Sequence, residues 1–300
     1  MLIPLLFLTL SADRLVLEGR GKHIVFVSGD EEYRSEEALP ALARILNQHH
    51  GFKCTVLYAI DPKDGTIDPD VNNNIPGLDS LESADLIVIA TRFRNLPDEQ
   101  MRHIVNYIDR GGPIVALRTA THAFALKQGS HQDYSWNAKD GGFGKRILGE
   151  TWIRHHGKHA FESTRGLIVN AKHPVLKGVK DIWGPSDVYE AHPPVDAMIL
   201  ANGQVLKGMN PADPPLEGKS TMPIAWTRTL GKQRIFTTTM GGATDLPNDG
   251  VRRMILNACY WALGQERRIK GNSNISFVRE YKPTPFKFGG YIRGLKPGDR

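Results

Sequence analysis

Residues 111–124 read Gly-Gly-Pro-Ile-Val-Ala-Leu-Arg-Thr-Ala-Thr-His-Ala-Phe, and the fold is decided by how this run divides. Paired glycines end a helix, because only they take up the left-handed backbone of a helix stop without a Cβ clash. The next four residues, Ile114, Val115, Ala116 and Leu117, are all apolar. A brief apolar run between turn signals is how a parallel strand buried on both faces reads. In open α/β sheets ligands sit beyond the carboxyl ends of the strands. Arg118, Thr119, Thr121 and His122 therefore stand where chemistry is expected.

The same grammar extends outward. Residues 23–28 are a first strand with the exit loop Gly29-Asp30-Glu31-Glu32-Tyr33-Arg34. Ser35, Glu36 and Glu37 then supply a cap and an acidic first turn to a helix that carries Leu39, Leu42, Ile45 and Leu46 on one face. A second strand is expected over 53–60 and a third over 85–90, with Arg92, Phe93 and Arg94 at its exit. A helix with Met101, Ile104, Val105 and Ile108 inward runs up to Gly111. Strands alternating with helices predict an α/β fold with a doubly wound, mainly parallel sheet and helices on both faces. Right-handed crossovers collect the exit loops on one edge. The second half is less regular: a short helix over 143–148, strands over 166–170, 198–206, 222–228 and 234–240, a loop over 183–190, and a closing helix over 250–263. Residues 22–265 form one domain, and 266–300 a tail.

Of the 300 residues 40% are hydrophobic and 23% charged, as in an ordinary globular protein. Two cysteines make no disulfide framework, and Cys54 and Cys259 read as small buried hydrophobes. The tail holds nine basic residues against three acidic ones, so it carries the whole formal net charge of +6. It interleaves them with Phe277, Tyr281, Phe286, Phe288 and Tyr291. Such spacing binds single-stranded nucleic acid only on a folded platform, so no nucleic-acid partner is expected. The aromatic side chains are expected to dock onto the body or onto a second subunit, giving a homo-oligomer through the tail. Residues 1–12 are apolar, too short to span a bilayer, and end in Ser11 and Ala12. They read as a signal peptide and predict export to the periplasm or the extracellular space; a buried N-terminal strand is the alternative.

Several blocks together resemble the ThuA-like family of the class I glutamine amidotransferase-like superfamily: Gly111 to Ala120, then Leu148-Gly149-Glu150-Thr151-Trp152 with histidines after it, His173-Pro174 leading to Asp187-Val188-Tyr189, Pro223-Ile224-Ala225-Trp226, Arg234-Ile235-Phe236-Thr237, and Trp261-Ala262-Leu263-Gly264. The resemblance implies a flavodoxin-like fold and a part in sugar utilisation, including the breakdown of disaccharides and their keto derivatives. Two histidines usual in the family are absent, at the turn that reads Leu117-Arg118-Thr119-Ala120 and at Gly241-Gly242. His122 is a substitute for the first. Glutamine amidotransfer needs a thiolate on the strand-to-helix turn with a histidine in reach. The turn here offers Arg118, Thr119, Ala120 and Thr121, so that activity is rejected.

The residues themselves suggest roles. Arg118 presents a charged fork of donors for an oxyanion, or pairs internally with Asp30 or Glu32. His122 can move a proton, or can donate to a carbonyl from the core. His155, His156 and His159 lie in His-His-Gly-Lys-His. His156 is the candidate proton carrier among them, while His155 and His159 are weak candidates for zinc, which needs a third ligand such as Asp187. No cofactor is otherwise expected. Asp187 and Tyr189 suit acid–base work on a sugar hydroxyl, with Glu190 available if a second carboxylate is needed. Asp30, Glu32, Arg92, Thr119 and Trp152 are candidate sugar contacts. The expected function is that of an exported protein acting on a carbohydrate or keto-sugar, with a non-catalytic carbohydrate-binding protein on the same scaffold as the alternative.

Overall fold

The computed structural model describes residues 13–300; the expected cleavage after Ala12 lies outside the described residues. Ten strands form a single mixed sheet. They are β1 (Arg14–Leu17), β2 (His23–Gly29), β3 (Lys53–Leu57), β4 (Leu86–Thr91), β5 (Ile114–Leu117), β6 (Thr164–Ile168), β7 (Ile182–Gly184), β8 (Met198–Val205), β9 (Met222–Leu230) and β10 (Gln233–Thr238). The α-helices are α1 (Ser35–His50), α2 (Asp98–Asp109) and α3 (Asp249–Ala262). Strand order is β1-β3-β2-β4-β5-β10-β9-β8-β6-β7.

The expectation of a mainly parallel sheet is corrected. The parallel pairs are β2 with β3, β2 with β4, β4 with β5 and β5 with β10. From β10 outward every pairing is antiparallel, as is that of β1 with β3. The reason lies in the connections. Two residues, Gly231 and Lys232, join β9 to β10, a link that only an antiparallel pair permits, since a parallel pair needs a crossover of a dozen residues or more. Strand lengths also differ from the pattern: the second expected strand stops at Leu57, and Ile182–Gly184 is a strand rather than part of a loop.

The organising strand sits where its composition placed it. All four residues of β5 are buried, and β4 and β10 flank it in parallel. Side chains alternate across the sheet. Val115 and Leu117 join one apolar cluster with Leu39, Leu42, Met254 and Ile255 of α1 and α3. Ile114 and Ala116 join the other, with Met101 and Ile104 of α2. Each large aliphatic side chain buried in this way contributes ~1.5–3 kcal/mol. The 143–148 segment is a π-type turn over Gly144–Leu148. No helix among the described residues is long and apolar enough to cross a membrane.

Residues 266–300 lie on the body. Phe277 stacks on Tyr281 at 4.2 Å between ring centroids, and Tyr281 donates to the Ala243 carbonyl. The Thr284 amide and hydroxyl both reach the Glu37 carboxylate.

Candidate functional site

Three strand exits meet at this edge, and each turns through a non-glycine residue in the left-handed region: Arg34 after β2 (φ 59°), Phe93 after β4 (φ 48°) and Arg118 after β5 (φ 44°). Such a conformation costs of order 1–3 kcal/mol at each residue and persists only where neighbours hold it. They do hold it here. The Arg118 amide donates to the Met240 carbonyl, the Phe93 amide to the His122 carbonyl and the Arg94 amide to the Ala123 carbonyl. The sharp turn that presents a nucleophile in α/β-hydrolases here presents a guanidinium.

Arg118 is buried, and both of its terminal nitrogens are engaged, while its Nε has no hydrogen-bond partner. Its Nη1 donates to the main-chain carbonyls of Asp187 and Thr239, and its Nη2 to Tyr33 Oη at 2.8 Å and Asp187 Oδ1 at 2.7 Å. The Tyr33 and Tyr189 rings lie on the guanidinium at 4.3 and 3.8 Å. The expected partners Asp30 and Glu32 are elsewhere. Asp30 accepts from the amides of Glu32 and Tyr33 and from Thr119 Oγ1, so Asp30 and Thr119 hold the loop and offer nothing to a ligand. Arg118 likewise has no free fork for an oxyanion. It fixes a carboxylate.

That carboxylate, Asp187, is the centre of the site. Strand-like pairing of residues 154–157 along 187–190 brings the histidine loop beside it. His155 Nδ1 lies 2.7 Å from Asp187 Oδ2, and His159 Nδ1 lies 3.2 Å from Oδ1. His159 Nε2 is 3.2 Å from Glu32 Oε1, so this imidazole bridges two carboxylates. Burial alone would push the Asp187 carboxyl up. The Arg118 charge and the bonds from both histidines outweigh it and hold the group well below the usual carboxylate range. The Asp187 and Glu32 bonds in turn raise the His159 imidazole to about 9. Glu32 is itself lowered, since the His159 bond and the Arg92 charge overcome its burial.

His122 and His156 make no hydrogen bond to the Asp187 carboxylate. Burial, then the nearby Arg92 and Arg118 charges, push His122 well below the ordinary imidazole value, so it is neutral and a poor proton donor. Its ring packs against Phe93 at 4.8 Å and Trp152 at 5.6 Å. His156 turns the other way, with Nε2 2.8 Å from the Ser220 carbonyl oxygen. Glu190 pairs with Arg154 and His192 and takes no part.

Trp152 is at the site, and the sequence missed its neighbour Trp136, 6.2 Å away centroid to centroid. Phe93 packs on Trp136 at 5.4 Å, and Arg92 lies over Phe93 at 4.7 Å while its Nε faces Glu32. Tyr33 and Asp245 were also missed. Asp245 accepts from the amides of Gly241, Gly242 and Ser186 and from the Ser186 hydroxyl, and so seats the residue before Asp187. A Cβ at Gly242 would come within 3.3 Å of Ser186 Oγ and the Tyr33 ring, so a side chain there is crowded unless those two yield by a few tenths of an ångström.

His155, His159 and Asp187 are also the group that can offer a metal one atom each, within 4.8 Å of one another. The fit is poor. His159 already spends both ring nitrogens on carboxylates, and Arg118 already pairs the Asp187 carboxylate with a full positive charge.

The model of the ThuA family, described as trehalose utilisation, matches residues 23–262. The chain belongs to the ThuA family. Among solved structures, a ThuA-like protein from Parabacteroides merdae is 16% identical with a TM-score of 0.57, over 81% of this chain and 90% of that one. A second, from Bacteroides uniformis, is 17% identical with a TM-score of 0.53, over 82% and 92%. At such identities these two speak for the ThuA fold alone. No curated protein matches. Membership of the ThuA family implies a role in sugar utilisation.

Proposed function

We propose that this ThuA-family chain is an enzyme that moves a proton on a carbohydrate or keto-sugar, with His155 as the group that exchanges it and Asp187 as its orienting partner. One observation carries the reading: His155 is bonded to the buried Asp187 at 2.7 Å, yet its side chain is 38% exposed. A carboxylate on one ring nitrogen fixes the tautomer and leaves the other nitrogen to meet a substrate, as in hydrolase triads. Trp152, 5.7 Å from His155 between centroids, offers the apolar face that a pyranose ring stacks on, and Arg92 and Glu32 offer polar edges. His159, an imidazolium with both ring nitrogens on carboxylates, places a fixed positive charge beside His155, 5.1 Å away between centroids.

The reading uses no metal, because protons and Arg118 already balance the carboxylates. It includes export, for which the mature N-terminus at Asp13 is the expected product. Its test is a panel of trehalose, maltose and cellobiose with their enzymatically oxidised keto derivatives, scored first for binding by calorimetry and then for product. Turnover by the wild type that His155→Ala lowers about 10²- to 10⁴-fold is expected. Binding with no product from any of them would overturn catalysis in favour of a carbohydrate-binding protein.

A further inference from the structure

The family match ends at residue 262, yet a segment well beyond it reaches the site. The Phe286 ring stacks on Tyr33 at 5.3 Å and contacts His159 at 5.2 Å. Two residues on, Phe288 lies over the Arg92 guanidinium at 5.0 Å. The segment is clamped from both sides. Thr284 is bonded to Glu37, the Lys287 amide donates 3.0 Å to the Glu32 carbonyl, and Arg34 Nη2 donates to the Lys287 carbonyl. Glu32 is the residue that holds His159, so strap and site share a backbone bond.

Pairwise contacts now close on themselves. From His155 they pass to His159 (5.1 Å) and Phe286, along the chain to Phe288, back through Arg92 to Phe93, and by Trp136 and Trp152 to His155. Arg92 is layered between Phe93 and Phe288. Of the tail's five aromatic side chains Phe288 alone is exposed, at 56%. It is propped on the guanidinium and otherwise unburied. An aromatic ring held in that way costs apolar exposure and is what a ligand-stacking platform requires.

We infer that Phe288 is a second ring-binding platform of the site, which takes a sugar ring one position removed from the ring at His155 and Trp152. Arg92, Phe93 and Trp136 stand between the two platforms in this run of contacts, and the ligand inferred to touch both has at least two rings. This rests on the carbohydrate reading of the site.

The test compares one-ring with two-ring probes, methyl α-glucoside against trehalose and maltose, by calorimetry on the full chain. Wild type is expected to bind the better two-ring probe more tightly. Phe288→Ala should lose about five- to tenfold of that affinity, the scale of one aromatic stacking contact, with one-ring affinity and melting temperature unchanged. Trp152→Ala, by contrast, should weaken both probes. Two-ring affinity unaltered by Phe288→Ala would overturn the platform and leave the carbohydrate reading standing. Failure of wild type to bind any probe would overturn both.

Discussion

Arg118 grips Asp187 twice, through Nη1 to its main-chain carbonyl and through Nη2 to its carboxylate, each at 2.7 Å. Both side chains are essentially inaccessible, at 1% and 0%. Removing one partner of such a pair strands a buried charge, which costs about 3–5 kcal/mol. Arg118→Ala should therefore destabilise the fold by about that much in urea unfolding. Arg118→Lys should recover only part of it, because an ammonium lacks the planar fork that reaches carbonyl and carboxylate together.

Catalytic loss should separate from structural loss at His155. This side chain is partly exposed and makes its polar contact with Asp187 alone. His155→Ala is expected to lower kcat about 10²- to 10⁴-fold, the usual contribution of a positioned acid or base, with a melting temperature close to wild type. Equal activity in the variant would remove His155 from the mechanism.

Stability should depend on pH through His159. Its imidazole is raised to about 9 in the folded chain, against an ordinary value near 6.5 in an unfolded one. The stabilisation is thus complete below about pH 6.5 and is lost as pH rises through 9. Urea midpoints should fall between pH 7 and 9.5 in wild type, and this alkaline fall should be shallower in His159→Asn. Asp187 acts oppositely: its carboxyl is depressed, so its contribution persists in neutral solution and disappears only in acid.

Chelation should leave turnover unchanged. A divalent ion entering between His155, His159 and Asp187 has to displace their hydrogen bonds and share the carboxylate with Arg118. Activity after exhaustive dialysis against EDTA, with metal content measured alongside, is the check. Loss of activity restored by one equivalent of zinc would make these three side chains ligands instead.

Much of the architecture was legible. The four buried residues of β5, the acidic start of α1 and the glycine stops after α1 and α2 follow from backbone sterics and burial that act locally. The antiparallel half was missed because alternation is weak there: β6 exposes both Leu167 and Ile168, which run past the end of the short neighbouring β7. Asp187, Glu32 and Trp152 were singled out by residue type, and His155 and His159 only as weak zinc candidates; the contacts that bring these five together were not foreseen. Arg118 pairs across 69 residues rather than with the adjacent exit loop, and no spacing rule reaches so far. His155 and His156 are neighbours whose rings diverge, since the single bridge of His155 to Tyr189 gives way to a bend at His156. The sequence could have flagged Tyr33 and Trp136 as aromatic side chains in polar loops, and Phe286 by its basic-aromatic setting.

A wall built from the last seventeen residues has a practical meaning for anyone trimming the chain. Cutting at the edge of the recognised domain would spare every ion pair around Asp187. It would also strip the cover from Tyr33 and His159, so a fragment chosen for tidiness would be judged inert when it had merely been opened.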